Sequence, residues 1–116
     1  MSDENCLFCR IAAGTVPATM VHSDEKVLAF RDINPQAPLH VLVIPREHIG
    51  SAAELTPVQD QLWGRLLHVA QAIADDAGQA DAGYRLVTNV GRNGGQTVHH
   101  LHLHLLAGRR MTWPPG

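Results

Sequence analysis

"TVHHLHLHLLAG", residues 97–108, alternates histidine with leucine from His100 to Leu105. A strand places residues i, i+2 and i+4 on one face, so the alternation predicts Leu101, Leu103 and Leu105 in a core and His100, His102 and His104 on the opposite surface. Working outward, "YRLVTNV" (84–90) predicts the preceding strand, and the glycine-rich "GRNGGQ" (91–96) separates the two. "HVLVIP" (40–45) is almost continuously apolar and is expected as a central strand ended by Pro45. "TMVHS" (19–23) and "VLAFRDI" (27–33) read as a hairpin turning at Ser23-Asp24-Glu25-Lys26.

Two helices complete the pattern. "NCLFCRIAAG" (5–14) spaces Leu7, Phe8 and Ile11 helically and stops at Gly14, a natural left-handed cap. Thr56-Pro57-Val58-Gln59 has capping-box spacing with proline at the first helical position. Val58, Leu62, Leu66, Val69, Ala70 and Ile73 then recur every three or four residues toward Gly78, predicting a helix of about 20 residues. The expected fold is α+β: a five-stranded, mainly antiparallel sheet with a short N-terminal helix and one long helix, the helices on one face. Residues 1–116 are expected to form one domain, and the proline-rich tail 109–116 is expected to be irregular.

Composition narrows the function. The 116 residues are 45% hydrophobic with a formal charge of −2, and no basic stripe marks a nucleic-acid surface. No apolar run is long enough for a membrane span, so a soluble, cytoplasmic protein is expected. Cys6 and Cys9 are too few and too close for a disulfide framework. As a CxxC pair they form half of a tetrahedral metal site; a redox dithiol and two free buried thiols are the other readings.

The histidine row admits two chemistries. Three imidazoles can hold a catalytic metal, but on a strand the Cα atoms of His100 and His104 lie roughly 13 Å apart, a long reach to one ion. The row instead favours a central nucleophile, His102, with supporting neighbours. Beside it, "NVGRNGGQT" supplies glycines whose N–H groups can approach an anion, with Asn89, Gln96 and Thr97 as neutral donors. An imidazole facing a phosphate held by such donors points to phosphoryl or nucleotidyl transfer, most simply hydrolysis.

"HHLHLHLL", with "AFRDINPQAPLHVLVIP", "YRLVTNVGRNGGQ" and "GRRMTWPPG", resembles the histidine triad (HIT) family along nearly the whole chain. The tail is similar to that of the nucleotide-binding branch, which are purine nucleoside phosphoramidases. It is less like the dinucleoside polyphosphate hydrolase branch, and Leu105-Leu106 stands where the uridylyltransferase branch has a glutamine. The resemblance implies a HIT-like fold, with His102 as nucleophile, His100 and His104 orienting it and His40 as a fourth, supporting histidine. It further implies that Asn89, Gly95 and Thr97 contact the phosphate and leaving group, and that Asp32 holds the ribose. Phe8, Ile11, Val16, Phe30 and Ile33 then form the slot for the base. The implied ligands are a purine nucleoside monophosphate, AMP or GMP, and its amidates, with no cofactor for catalysis. A homodimer is also implied, with Trp113 shaping the neighbouring subunit's pocket. His99 departs from the usual aromatic residue and is expected to face away from the row. Some bacterial members carry structural zinc, and the matching positions here are Cys6, Cys9, His48 and His100. A nucleotide-binding interaction module with vestigial hydrolysis is the reading from a different class.

Overall fold

The computed structural model describes residues 3–116. In chain order it has helix α1 (Leu7–Ala12), strands β1 (Met20–Ser23), β2 (Val27–Arg31) and β3 (Leu39–Pro45), helix α2 (Asp60–Asp76), and strands β4 (Tyr84–Val87) and β5 (Leu103–Ala107). The strands form one sheet in the order β1-β2-β3-β5-β4, and every neighbouring pair is antiparallel.

β3 occupies the centre, and each of its residues is buried, which explains why its sequence is apolar without alternation. Val41 and Val43 point to the side covered by α2, where they join Val27, Ala29, Leu66, Val69, Ala70 and Leu105. Leu42 and Ile44 point to the other side and pack with Leu28, Phe30, Phe8 and Ile11. The two helices therefore cover opposite faces of the sheet, not one face as expected. α1 offers only Phe8, Cys9 and Ile11 as buried residues, and a stripe that short carries no information about which face it meets.

The capping box at Thr56 forms: Gln59 Oε1 accepts from the Thr56 N–H at 2.7 Å and from its hydroxyl at 3.0 Å. The first turn, Pro57–Gln59, is a 3-10 helix, and the α-helix proper has 17 residues. The tighter winding rotates Val58 off the apolar stripe, and it is 91% exposed. At the other end of the chain β5 begins only at Leu103. The segment before it lies outside the ladder: residues 98–100 bend, with the His100 N–H donating to Val98 C=O at 2.9 Å, and the Leu101 N–H donates to Ile49 C=O at 2.6 Å. Leu101 nevertheless enters the same core as Leu103 and Leu105. The leucine–histidine split thus holds although the strand is shorter than the alternation.

Candidate active site and metal cluster

The histidine side of this segment faces α1, not open solvent. His100 is fully buried and His102 is 5% exposed; both rings meet the edge of Phe8, with centroids 5.9 and 5.2 Å away. The expected open surface is therefore a covered one, because α1 lies on the face the sequence reading left bare.

Backbone groups determine the protonation pattern of the four central histidines. A carbonyl only accepts and a peptide N–H only donates, so each such contact assigns a ring nitrogen. His102 Nδ1 lies 2.7 Å from His100 C=O, so Nδ1–H is the donor and Nε2 keeps its lone pair. His100 Nε2–H donates to Pro45 C=O at 2.9 Å, leaving the Nδ1 lone pair free. The Gln36 N–H donates to His40 Nδ1 at 3.0 Å. His40 therefore carries its proton on Nε2, which donates to His104 Nδ1 at 2.9 Å and lies 3.5 Å from Asp32 Oδ2. The His104 proton is then on Nε2.

Burial favours the neutral form in every case. It pushes His100 down to about 4, with the Pro45 hydrogen bond acting the other way and His48 and His102 adding to the fall. His104 is pushed to about 4 by burial and by His102 and His40, against Asp32. His40 and His102 are lowered by burial, partly offset by Asp32 in both and by the His100 carbonyl at His102. At neutral pH the row is thus a set of uncharged imidazoles with assigned tautomers.

His102 and His104 open onto a cavity of about 300 Å³. Its walls include Phe8, Ile11, Val16, Phe30, Asp32, Ile33 and Thr97, so the apolar slot, the carboxylate and one loop hydroxyl expected from sequence meet around the two histidines. Ile33 stands at the rim, 99% exposed. His40 reaches this site through His104 and Asp32. Val98 and Leu42 also line it; apolar residues beside polar motifs give no separate signal in a sequence.

The glycine loop behaves differently from its reading as an anion cradle. The Gly95 N–H donates to Arg92 C=O at 3.1 Å and the Gln96 N–H to Gly91 C=O at 3.1 Å. Both donor directions of the Gln96 amide are used, toward Gly50 C=O at 2.8 Å and Val98 C=O at 3.0 Å. Gln96 is a brace between the loop and the turn at Gly50, so its side-chain donors are turned away from any phosphate. Asn89 and Gly95 are not on the cavity wall. Trp113 is 82% exposed and also lies off that wall. His99 is a surface residue, 3.7 Å from Glu54 Oε2.

Sequence reasoning missed Gln36, Pro45 and Thr88. Gln36 acts through an N–H that every residue but proline carries, and Pro45 through a carbonyl that every residue carries. The Thr88 hydroxyl donates to His102 C=O at 2.8 Å, which secures the segment beside His102.

At the far end of the row, Cys6, Cys9, His48 and His100 present four ligand atoms within 4.8 Å of one another. Cys6 Sγ lies 3.2 Å and Cys9 Sγ 3.5 Å from His100 Nδ1, and Cys9 Sγ lies 3.3 Å from His48 Nδ1. Tetrahedral zinc with bonds of roughly 2.0–2.3 Å sets neighbouring ligand atoms roughly 3.3–3.8 Å apart, and these three separations fall close to that spacing. The free lone pair on His100 Nδ1 is the one a metal needs. Asp32, His40 and His104 also gather three ligand atoms. A neutral His40 could ligate there through Nε2 only by moving its proton to Nδ1, where the Gln36 N–H already points. The donor chemistry therefore fits a metal at the first cluster and opposes one at the second.

A larger groove of about 470 Å³ between β1, β2 and α2 contains His22 and Arg65. Asp24 holds both, at 2.6 and 2.9 Å, a pairing that links the turn after β1 to α2.

A five-stranded antiparallel sheet carrying neutral, tautomer-fixed histidines over an apolar cavity defines the histidine triad class of protein. The HIT domain is matched over residues 13–111, and the chain belongs to that family. It is 53% identical to a HIT family hydrolase from Legionella pneumophila, with a TM-score of 0.95 over 97% of this chain and 100% of that one. A HIT family hydrolase from Clostridium thermocellum is 47% identical, with a TM-score of 0.93 and 96% of each chain covered. A 14 kDa zinc-binding protein from Zea mays is 48% identical over 118 residues, spanning 100% of this chain and 91% of that one. The Cys/His cluster and this zinc-binding relative together support a structural zinc site. Among the described residues, no helix is long and apolar enough to cross a membrane.

Proposed function

We propose that the protein is a nucleotide hydrolase of the phosphoramidase branch, cleaving the P–N bond of purine nucleoside monophosphate amidates through a nucleotidyl-His102 intermediate. The observation that carries the reading is the His102–His100 contact of 2.7 Å, which leaves the Nε2 lone pair of a neutral ring on a residue lining the cavity. In the proposed pose the base lies between Phe8, Ile11, Val16, Phe30 and Ile33, and the Asp32 carboxylate accepts from the ribose hydroxyls. His104 Nε2–H and Thr97 Oγ1 donate to the non-bridging phosphate oxygens, and His40 holds His104 in the tautomer that makes this donation possible.

His102 Nε2 attacks phosphorus, the P–N bond breaks, and the amine leaves with the electron pair and takes up a proton from solvent, which the water of the second step gives back. Water then attacks the phosphorus of the nucleotidyl-histidine, returning His102 and releasing the nucleoside monophosphate. Asn89 and Gly95 remain candidates for the leaving-group side, where loop movement on binding would present them. Zinc held by Cys6, Cys9, His48 and His100 would supply structural cross-linking, with no part in bond breaking.

The test is turnover of an adenosine phosphoramidate by the wild type and by His102→Asn, each with and without chelator, beside a dinucleoside polyphosphate as competing substrate. Asn can still donate to the His100 carbonyl but cannot attack, so the fold is kept and the rate falls more than about a hundredfold. Thr97→Ala falls less, because one of several donors is lost. Equal losses in the two variants refute the assignment of roles. Tight AMP binding without turnover favours the interaction module, and faster cleavage of the dinucleoside substrate favours the other hydrolase branch.

A further inference from the structure

Residues 32–38 form a loop between β2 and β3 whose base is closed where the Asp32 N–H donates to His40 C=O at 3.0 Å. Within it, Asp32 Oδ1 accepts from the Asn34 N–H at 2.8 Å and the Gln36 side chain donates to Asn34 C=O at 3.0 Å. The ring of His40 meets this loop at both nitrogens: the Gln36 N–H donates to Nδ1 at 3.0 Å and Asp32 Oδ2 lies 3.5 Å from Nε2. Gln36 is also gripped from outside. Arg109 Nε, in the segment after β5, donates to Gln36 C=O at 2.9 Å.

The approach of that segment is close. Gly108 has φ +94°, and a Cβ built there would stand 2.8 Å from Pro38 Cβ, so glycine is needed both for the backbone turn and for the contact. Gly108 brings the chain against Pro38, and Arg109 then takes the Gln36 carbonyl. A continuous series results: Arg109 to Gln36 at 2.9 Å, Gln36 to His40 at 3.0 Å, His40 to His104 at 2.9 Å. It ends at the His104 ring on the cavity wall.

We infer that Arg109 is a positioning residue for the His40–His104 pair, holding Gln36 where its N–H excludes a proton from His40 Nδ1. Without that hold, Gln36 relaxes, His40 gains access to its other tautomer, and His104 Nδ1 loses its donor. The two His104 tautomers then mix, and the Nε2–H that faces the phosphate is present only part of the time. The catalytic consequence rests on the proposed use of His104 at the phosphate; the tautomer consequence does not.

The experiment is ¹⁵N NMR of the histidine rings in the ligand-free full chain at neutral pH, for wild type, Arg109→Ala, Arg109→Lys and Arg110→Ala, together with steady-state kinetics on an adenosine phosphoramidate. The wild type is expected to show His40 and His104 protonated on Nε2 alone. Arg109→Ala is expected to show protonation spreading to Nδ1 of His40. Its kcat is expected to fall about two- to tenfold, the effect of one net hydrogen bond, with KM unchanged. Arg109→Lys restores a donor and recovers part of both signals, while Arg110→Ala matches the wild type. Unchanged His40 tautomers in folded Arg109→Ala, or the same change in Arg110→Ala, overturn the inference. A protein that shows the tautomer change but cleaves no phosphoramidate keeps the relay and refutes the proposed reaction.

Discussion

His104 shows how much of the site a single residue type discloses and how much it hides. The period of two announced that leucines and histidines would part, and they do. Which nitrogen carries each proton was not legible, because the carbonyls of Pro45 and His100 and the N–H of Gln36 decide it. Burial of the row also makes stability depend on pH with a definite sign. The folded-state pKa of His104 is about 4, below its ordinary value of 6.5, so the unfolded chain takes up the proton first as pH falls. The contribution is complete above pH 6.5 and is lost between 6.5 and about 4; the lowered His40 and His102 act in the same direction. Urea midpoints measured across that interval should fall less steeply in His104→Gln than in the wild type. Parallel slopes would show that His104 is protonated equally in both states.

At the scale of elements, long runs were legible and short ones were ambiguous. β3 declared itself by continuous apolar residues, and α2 by a stripe that buries Leu66, Val69, Ala70, Ile73 and Ala74. The start of β5 did not, since Leu101 and His102 keep the alternation in a segment that follows a bend, bonds to Ile49 and lies outside the ladder. The glycine loop was read as a cradle for an anion because glycine permits that geometry. Instead the Gly95 and Gln96 N–H groups close the loop on itself. The CxxC pair by itself marks half a metal site and the resemblance supplies His48 and His100 as the other half; packing brings the start of α1, the turn after β3 and the segment before β5 together at one point. A zinc ion there joins three elements distant in sequence, and its binding energy is folding energy. About one zinc per chain is therefore expected by elemental analysis of protein prepared without chelator. Stripping it should lower the thermal midpoint by a larger factor than it lowers the rate of P–N cleavage. Metal-free protein from zinc-supplied cells would contradict the site, and lost activity with an unchanged midpoint would place the ion in the reaction.

For the whole molecule, the tail sets apart what one chain completes from what a second would add. Arg109 and Thr112 tie it to the chain's own surface, the latter by the Arg85 guanidinium donating to its carbonyl at 2.8 Å. Trp113, one residue on, is 82% exposed, a large apolar ring left to water. The homodimer that the resemblance implies would give that ring a place beside the partner's cavity, and the exposed tryptophan is the observation that favours it. Because the ring lies outside both cores, Trp113→Ala should leave the thermal midpoint of each protomer's fold unchanged. The same change should alter the ratio of kcat/KM between bulky and small amine leaving groups, since a wall contributed by a partner would contact the amine and leave the nucleoside alone. Sedimentation must show a dimer in both proteins for the comparison to hold. A monomeric wild type, or one ratio shared by the two proteins across several amines, would remove Trp113 from the site.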